Sequence, residues 1–125
     1  MLSTSAHIYI LSTIFFTVYS QLVIRWQMSE VGPLPPGILE KIQFIAALFL
    51  NPWILSSVLA TFLAGVSWML AMMRFEISYA YPWVSLNFVI ILLLAILFLG
   101  ESYTHLKLLG TVLIMMGIIL VARGG

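Results

Sequence analysis

The sequence predicts an all-α integral membrane protein with four transmembrane helices that acts as a dimer. Four apolar runs fill nearly all of the 125 residues, and each is about 20 residues long, the length that a helix needs to cross a bilayer. The chain is 63% hydrophobic and only 7% charged, which is well outside the range of soluble globular domains. Because four short helices form a thin bundle, a path for a sizeable substrate would need a second subunit. Residues 1–125 are therefore predicted to form a single transmembrane domain.

The predicted spans cover residues 7–28, 53–74, 77–99 and 104–123. The first is predicted to be a retained helix rather than a signal peptide, because no Lys or Arg precedes it and no small-residue cleavage pattern follows. The short link Arg74-Phe75-Glu76 makes spans two and three antiparallel neighbours. Pro82 removes a backbone donor near the start of span three, so a loosened or kinked helix is expected there.

A shorter helix is predicted over residues 37–50, between Pro35-Pro36 and Asn51-Pro52. Its apolar residues recur at helical spacing, with Glu40 and Lys41 on the other side. This pattern is typical of an amphipathic helix lying in the membrane interface. The alternative is an irregular apolar loop packed on the bundle.

Charge and motifs exclude several functions. The net charge of +1 provides no basic field for nucleic acid. With both termini on one side, Arg25, Lys41 and Lys107 lie opposite Arg74 and Arg123, so the Lys/Arg bias does not fix the orientation. The sequence has no cysteine, no metal-ligand cluster, no Walker loop and no nucleophile–base pattern, and its two histidines are predicted to be isolated at helix ends. We therefore predict no enzyme activity, metal site or cofactor.

Polar side chains inside the spans are the candidates for function, because polar groups in hydrocarbon are costly. Thr17, Gln21 and Arg25 recur at four-residue spacing and form one stripe on helix one. The guanidinium fork of Arg25 suits phosphate or carboxylate. The alternatives are that Arg25 reaches the membrane surface and that Gln21 only joins helices.

The third span carries further candidates near its start. Tyr81 and Ser85 share a helix face, whereas Asn87 is expected to point elsewhere. The alternative is an interfacial aromatic belt, which explains Tyr79 and Trp83 better than it explains Ser85 and Asn87.

The remaining candidates are scattered along the chain. Glu101 follows a long apolar run and is either a substrate-binding carboxylate or a solvated acid at the start of helix four. Trp68, in the middle of span two, is either a cavity residue or a packing residue. Gly110 and Gly117 lie on one face of helix four and are predicted to form a dimer interface.

The motifs resemble a known group of transporters. Residues 98–102 (FLGES) and 109–120 (LGTVLIMMGIIL) resemble the closing helix pair of EamA-type drug/metabolite transporters. Residues 80–82 (AYP) and 85–88 (SLNF) are more similar to the four-helix subunits that flip 4-amino-4-deoxy-L-arabinose-phosphoundecaprenol. Residues 20–22 (SQL) and 44–48 (FIAAL) match the same group.

This resemblance implies a flippase for a lipid-linked sugar in the inner membrane of Gram-negative bacteria, working as a homodimer or with a sister subunit. The lipid tail would stay in the bilayer while the phosphate and sugar cross. The phosphate would meet Arg25, with Lys41 and Arg74 as further candidates. The sugar would receive hydrogen bonds from the polar residues of spans one and three, Gln21, Tyr81, Ser85 and Asn87.

Two other functions are weighed against the flippase. Small multidrug resistance transporters share the four-helix plan, but they carry a carboxylate in the middle of helix one. Here that position aligns with Thr17, and no acid lies mid-span. The third possibility is an accessory subunit whose polar residues only bind a partner protein.

Overall fold

The structure, a computed structural model, describes residues 6–124. It contains six helices and, over that range, no strand. The helices are α1 (His7–Glu30), α2 (Ile38–Leu48), α3 (Pro52–Met72), α4 (Ile77–Val84), α5 (Leu86–Phe98) and α6 (His105–Gly124). By length and composition, α1, α3, the continuous stretch Ile77–Phe98 and α6 can each cross a membrane. The predicted all-helical, multi-pass architecture is therefore confirmed.

The third span is interrupted at Ser85, which separates α4 from α5. The N–H of Ser85 donates to the carbonyl of Pro82, and the N–H of Phe88 donates to the carbonyl of Ser85, both over 3.0 Å. Three-residue spacing of this kind tightens a helix locally. The interruption expected near Pro82 is present, one turn after the proline.

The segment after α1 forms a helix, as predicted. None of its residues is buried, and Ile38, for example, is 79% exposed. An irregular loop packed on the bundle is therefore wrong for this segment. Asn51 then starts α3, because its side-chain Oδ1 accepts the N–H of Trp53 over 2.8 Å and Pro52 occupies the first turn. The location of α2 in the membrane interface stays a prediction.

The closest helix pair in the bundle is α1 with α3. Ser20 and Thr61 share a hydrogen bond of 2.6 Å between their hydroxyls, and Tyr19 and Ser56 share one of 2.9 Å. At the end of α1, the amide of buried Gln27 accepts from Asn51 Nδ2 over 2.8 Å. Interhelical hydrogen bonds and small residues are what hold helices together in lipid, where the hydrophobic effect offers no preference.

Small side chains on α3 allow this close approach. Ser57, Ala60 and Ala64 are all buried, with Ala60 only 4% exposed. We expect Ala60→Leu to lower the free energy of unfolding by about 1–3 kcal/mol, because the added atoms have no space between α1 and α3. Ala46→Leu, the same change on the exposed α2, is the control. Equal thermal stability of both variants in detergent would contradict close packing of α1 against α3 at Ala60.

An aromatic cluster closes the end of the bundle where α1 begins. His7 Nε2 lies 3.1 Å from the hydroxyl of Tyr79, and the His7 ring contacts those of Phe75, Tyr79 and Trp83. The prediction that His7 is isolated is therefore wrong. The short link between α3 and α4 brings Phe75 and Tyr79 beside the first turn of α1, and periodicity within one helix does not reveal such a neighbour.

The last helix is held more loosely than the first two spans. Helix α6 contacts α4 and α5, and Ile118 is its one buried residue within the described part of the chain. In an apolar stretch of 18 residues in the third span, and in a similar stretch in α6, only 6% of the residues are buried, compared with 33% in α1. This arrangement leaves an open space between α1, the α4–α5 span and α6.

Candidate functional site

The open space between α1, the α4–α5 span and α6 is a cavity of about 770 Å³. Helices α1, α4, α5 and α6 and the link before α6 all contribute to its walls. The walls are mostly apolar, and each contributing helix and the link also supply at least one polar side chain. These polar groups are Thr17, Gln21, Tyr81, Ser85, Asn87, Glu101, Lys107 and Thr111.

Most of the sequence-predicted site residues meet in this one cavity. Thr17 and Gln21 come from α1, and Tyr81, Ser85 and Asn87 come from the third span. The expectation that Asn87 points away from Tyr81 and Ser85 is wrong. Asn87 lies three residues after Val84 and four before Ile91, which also line the cavity, so it stands at the edge of the same helix face.

An ion pair lies at the end of the cavity. Arg25, one turn beyond Gln21, donates from Nε to Glu101 Oε2 over 2.9 Å. The two side chains are 60% and 33% exposed. This contact joins the end of α1 to the link between α5 and α6, and it places a guanidinium next to a carboxylate that lines the cavity.

Sequence reasoning missed a second cation, Lys107, which lines the cavity from the first turn of α6. Its Nζ donates to the carbonyl of Ser102 over 2.8 Å, and its backbone carbonyl accepts from Thr111 Oγ1 over 2.8 Å. Lys107, Gly110, Thr111 and Ile114 follow helical spacing and all line the cavity. That spacing is the available signal, but on sequence grounds Lys107 bears only on membrane orientation.

Asn87 carries the most informative polar atom of the site. Its Oδ1 is buried and has no hydrogen-bond partner among the described residues. A buried acceptor without a donor costs about 1–3 kcal/mol. Because Asn87 lines the cavity but this oxygen is buried, a hydrogen-bond donor on a ligand would reach the oxygen after the amide rotates.

Besides Arg25, which lies beside the cavity, four predicted residues do not line it. Trp68 does not line the cavity, but its ring lies 5.7 Å from that of Tyr81, which does. Lys41 lies on α2, and Arg74 lies in the link between α3 and α4, at the opposite end of α3 from Asn51. Gly117 is exposed on α6, whereas its predicted companion at the dimer interface, Gly110, lines the cavity.

The chemistry of the cavity favours an amphipathic anion. Arg25 and Lys107 offer cationic donors, and an arginine fork matches phosphate oxygens in pairs. Gln21, Tyr81 and Asn87 offer hydrogen bonds to a polar head group, while the apolar walls and the surrounding bilayer accommodate a hydrocarbon part.

Known proteins similar to this chain are flippase subunits by name. The chain is 31% identical over 122 residues to the probable 4-amino-4-deoxy-L-arabinose-phosphoundecaprenol flippase subunit ArnF of Erwinia tasmaniensis, covering 91% of each chain. It is 36% identical over 73 residues to the ArnE subunit of Pseudomonas aeruginosa (58% of this chain, 64% of the relative) and 37% identical over 70 residues to that of Yersinia pestis (56% and 61%). The matches to these two ArnE subunits thus span less than two thirds of their length.

No protein-family model and no solved structure matches the chain, so the broader EamA resemblance stays a prediction. The similarity to the Erwinia subunit, by contrast, extends over nearly the whole of both chains. Together with the four apolar helices, it shows that this chain belongs to the family of 4-amino-4-deoxy-L-arabinose-phosphoundecaprenol flippase subunits.

Proposed function

We propose that this protein is a subunit of a flippase that moves a polyprenyl-phosphate-linked sugar across the bacterial inner membrane. The names of its relatives support the substrate class, an undecaprenyl phosphate carrying aminoarabinose or a similar sugar. The four apolar helices support a multi-pass location.

The cavity is the observation that carries this proposal. Lys107 lines one end of the cavity and Arg25 lies beside that end, while uncharged hydrogen-bonding groups line the rest of the cavity. A phosphate held by Arg25 and Lys107 would leave the sugar facing Gln21, and Tyr81, Ser85 and Asn87 would line the rest of its path across the membrane. The lipid tail needs no protein site, because the bilayer around the open cavity accommodates it.

The flippase acts as a dimer in this proposal, either of two copies or with a sister subunit. The relatives are named as subunits, and the chain is similar to both the ArnE and the ArnF kind. Exposed Gly117 on α6 belongs to the proposed contact surface, since small residues let helices approach closely, whereas Gly110 of the predicted glycine pair lines the cavity. Helix α2 lies in the membrane interface with its apolar side toward lipid.

A proton-coupled cation exporter fits the cavity less well. Among the described residues, Glu101 is the one acidic side chain in the cavity wall, and its Oε2 accepts from Arg25. A cationic drug bound to Glu101 would leave Arg25 and Lys107 without an opposite charge, so the net positive charge at this end of the cavity disfavours it.

Transport in proteoliposomes tests the proposal. The chain is reconstituted alone and with a second four-helix subunit of the family, and movement of polyprenyl-phosphate sugars and of ethidium is followed in parallel. We expect movement of the lipid-linked sugar but not of the cation. Proton-dependent ethidium transport would replace the flippase with an exporter. If the second subunit moves the lipid equally well without this chain, the protein is an accessory subunit.

A further inference from the structure

The charged end of the cavity has an unusual composition for a site that binds only an anion. Arg25 and Lys107 supply two positive charges, and Glu101 supplies one negative charge between α1 and α6. A carboxylate beside a phosphate repels it, so a simple phosphate site would be better without Glu101. The acid therefore indicates a cationic group on the ligand.

The proposed substrate has such a group, so the role assigned to Glu101 rests on the proposed function. A polyprenol joined to an amino sugar through one phosphate carries one negative charge on the phosphodiester and one positive charge on the ammonium group. We propose that Glu101 is the specificity-determining residue of this flippase and binds the ammonium group of an amino sugar. Arg25 and Lys107 bind the phosphate of the same molecule.

In this scheme the Arg25–Glu101 pair opens when substrate binds. The two side chains are 2.9 Å apart, whereas the sugar ring separates the phosphate from the amine. Opening costs little, because a partly exposed ion pair is weak, and both side chains regain an opposite charge from the substrate. Before substrate binds, the charges of Arg25 and Glu101 neutralise each other.

The charge balance gives the direction of the effect. With Glu101 ionised, the charged end carries a net positive charge of one, and an aminated substrate places a cation and an anion against matching partners. Replacing Glu101 by glutamine removes the partner of the ammonium group and raises the net positive charge. This change favours a lipid whose sugar has a hydroxyl in place of the amine, since that lipid carries only the phosphate charge.

A competition experiment separates this role from a structural one. Proteoliposomes with the active protein receive equal amounts of polyprenyl-phosphate 4-amino-4-deoxy-arabinose and polyprenyl-phosphate arabinose, and the ratio of their movement rates is measured. The ratio does not depend on how much protein is folded. We expect the wild type to prefer the aminated lipid and Glu101→Gln to lower that preference roughly tenfold, the value of one charged hydrogen bond. Glu76→Gln, an exposed acid outside the cavity, should keep the wild-type ratio.

The outcomes distinguish the role of Glu101 from the proposed function. A loss of preference in Glu101→Gln with continued movement of the arabinose lipid supports the assignment. An unchanged ratio, or a wild type that moves both lipids equally, overturns the role of Glu101 and leaves the flippase intact. If the wild type moves neither lipid, even with a second subunit, the proposed function fails and the role of Glu101 fails with it.

Discussion

Replacing Arg25 by alanine is expected to slow the movement of lipid-linked sugar by about tenfold to a hundredfold. This range corresponds to losing hydrogen bonds to a charged group, which are worth about 1.5–3 kcal/mol. Arg25 extends from the end of α1 beside the cavity, and its Nε already donates to a carboxylate oxygen over 2.9 Å. A phosphate oxygen is an equivalent acceptor for the same fork. The rate in proteoliposomes, at equal amounts of folded protein, measures the effect.

Arg74→Ala is the matched control, because Arg74 is an exposed arginine outside the cavity. We expect it to keep the wild-type rate. The double variant Arg25→Ala/Glu101→Gln separates phosphate binding from simple neutralisation of Glu101. If this double variant flips the lipid at the wild-type rate, Arg25 serves only to neutralise the acid, and its role as phosphate ligand is refuted.

Replacing Asn87 by leucine is expected to change stability and transport in opposite directions. The Oδ1 atom of Asn87 is buried without a donor among residues 6–124, so an apolar side chain of similar size removes a penalty of about 1–3 kcal/mol. The variant should therefore unfold at a higher temperature in detergent. Transport should fall by about tenfold, because the sugar loses its hydrogen-bond acceptor.

Gln27→Leu is the control for the stability effect. Gln27 is also a buried amide, but its side chain accepts from Asn51, so the same kind of replacement should destabilise the protein. A lower unfolding temperature for Asn87→Leu would show that Asn87 is satisfied in the resting protein. It would then be a structural residue rather than an open binding group.

The spans were predictable because each depends on composition along a single stretch of chain. The ends of the apolar runs agree with α1, α3 and α6 to within a few residues, and Pro82 indicated the interruption of the third span. Thr17 and Gln21 of the predicted polar stripe both line the cavity. Patterns of this kind are local, and a single helix is enough to produce them.

The charged end of the site could not be predicted, because it depends on how distant helices pack. Arg25 and Glu101 are separated by 76 positions in the sequence, and nothing in either neighbourhood indicates the other. The place of Lys107 in the cavity is hidden from the sequence for the same reason. Asn87 stands at the edge of the helix face that lines the cavity, so comparing it with Tyr81 and Ser85 alone did not reveal its position.

The loose attachment of α6 has a mechanical consequence. Helix α1 is fixed to α3 by side-chain hydrogen bonds, whereas α6 donates or accepts none to another helix within the described residues. Helix α6 packs against α4 and α5, and its polar contacts outside the helix run from Lys107 to Ser102 and Thr104 in the preceding link, which Glu101 joins to Arg25 of α1. Lipid tails replace apolar contacts at little cost. In the proposed flippase, α6 is therefore the helix that moves most easily, and a substrate that separates Arg25 from Glu101 would also remove the ion pair that joins α1 to the link before α6.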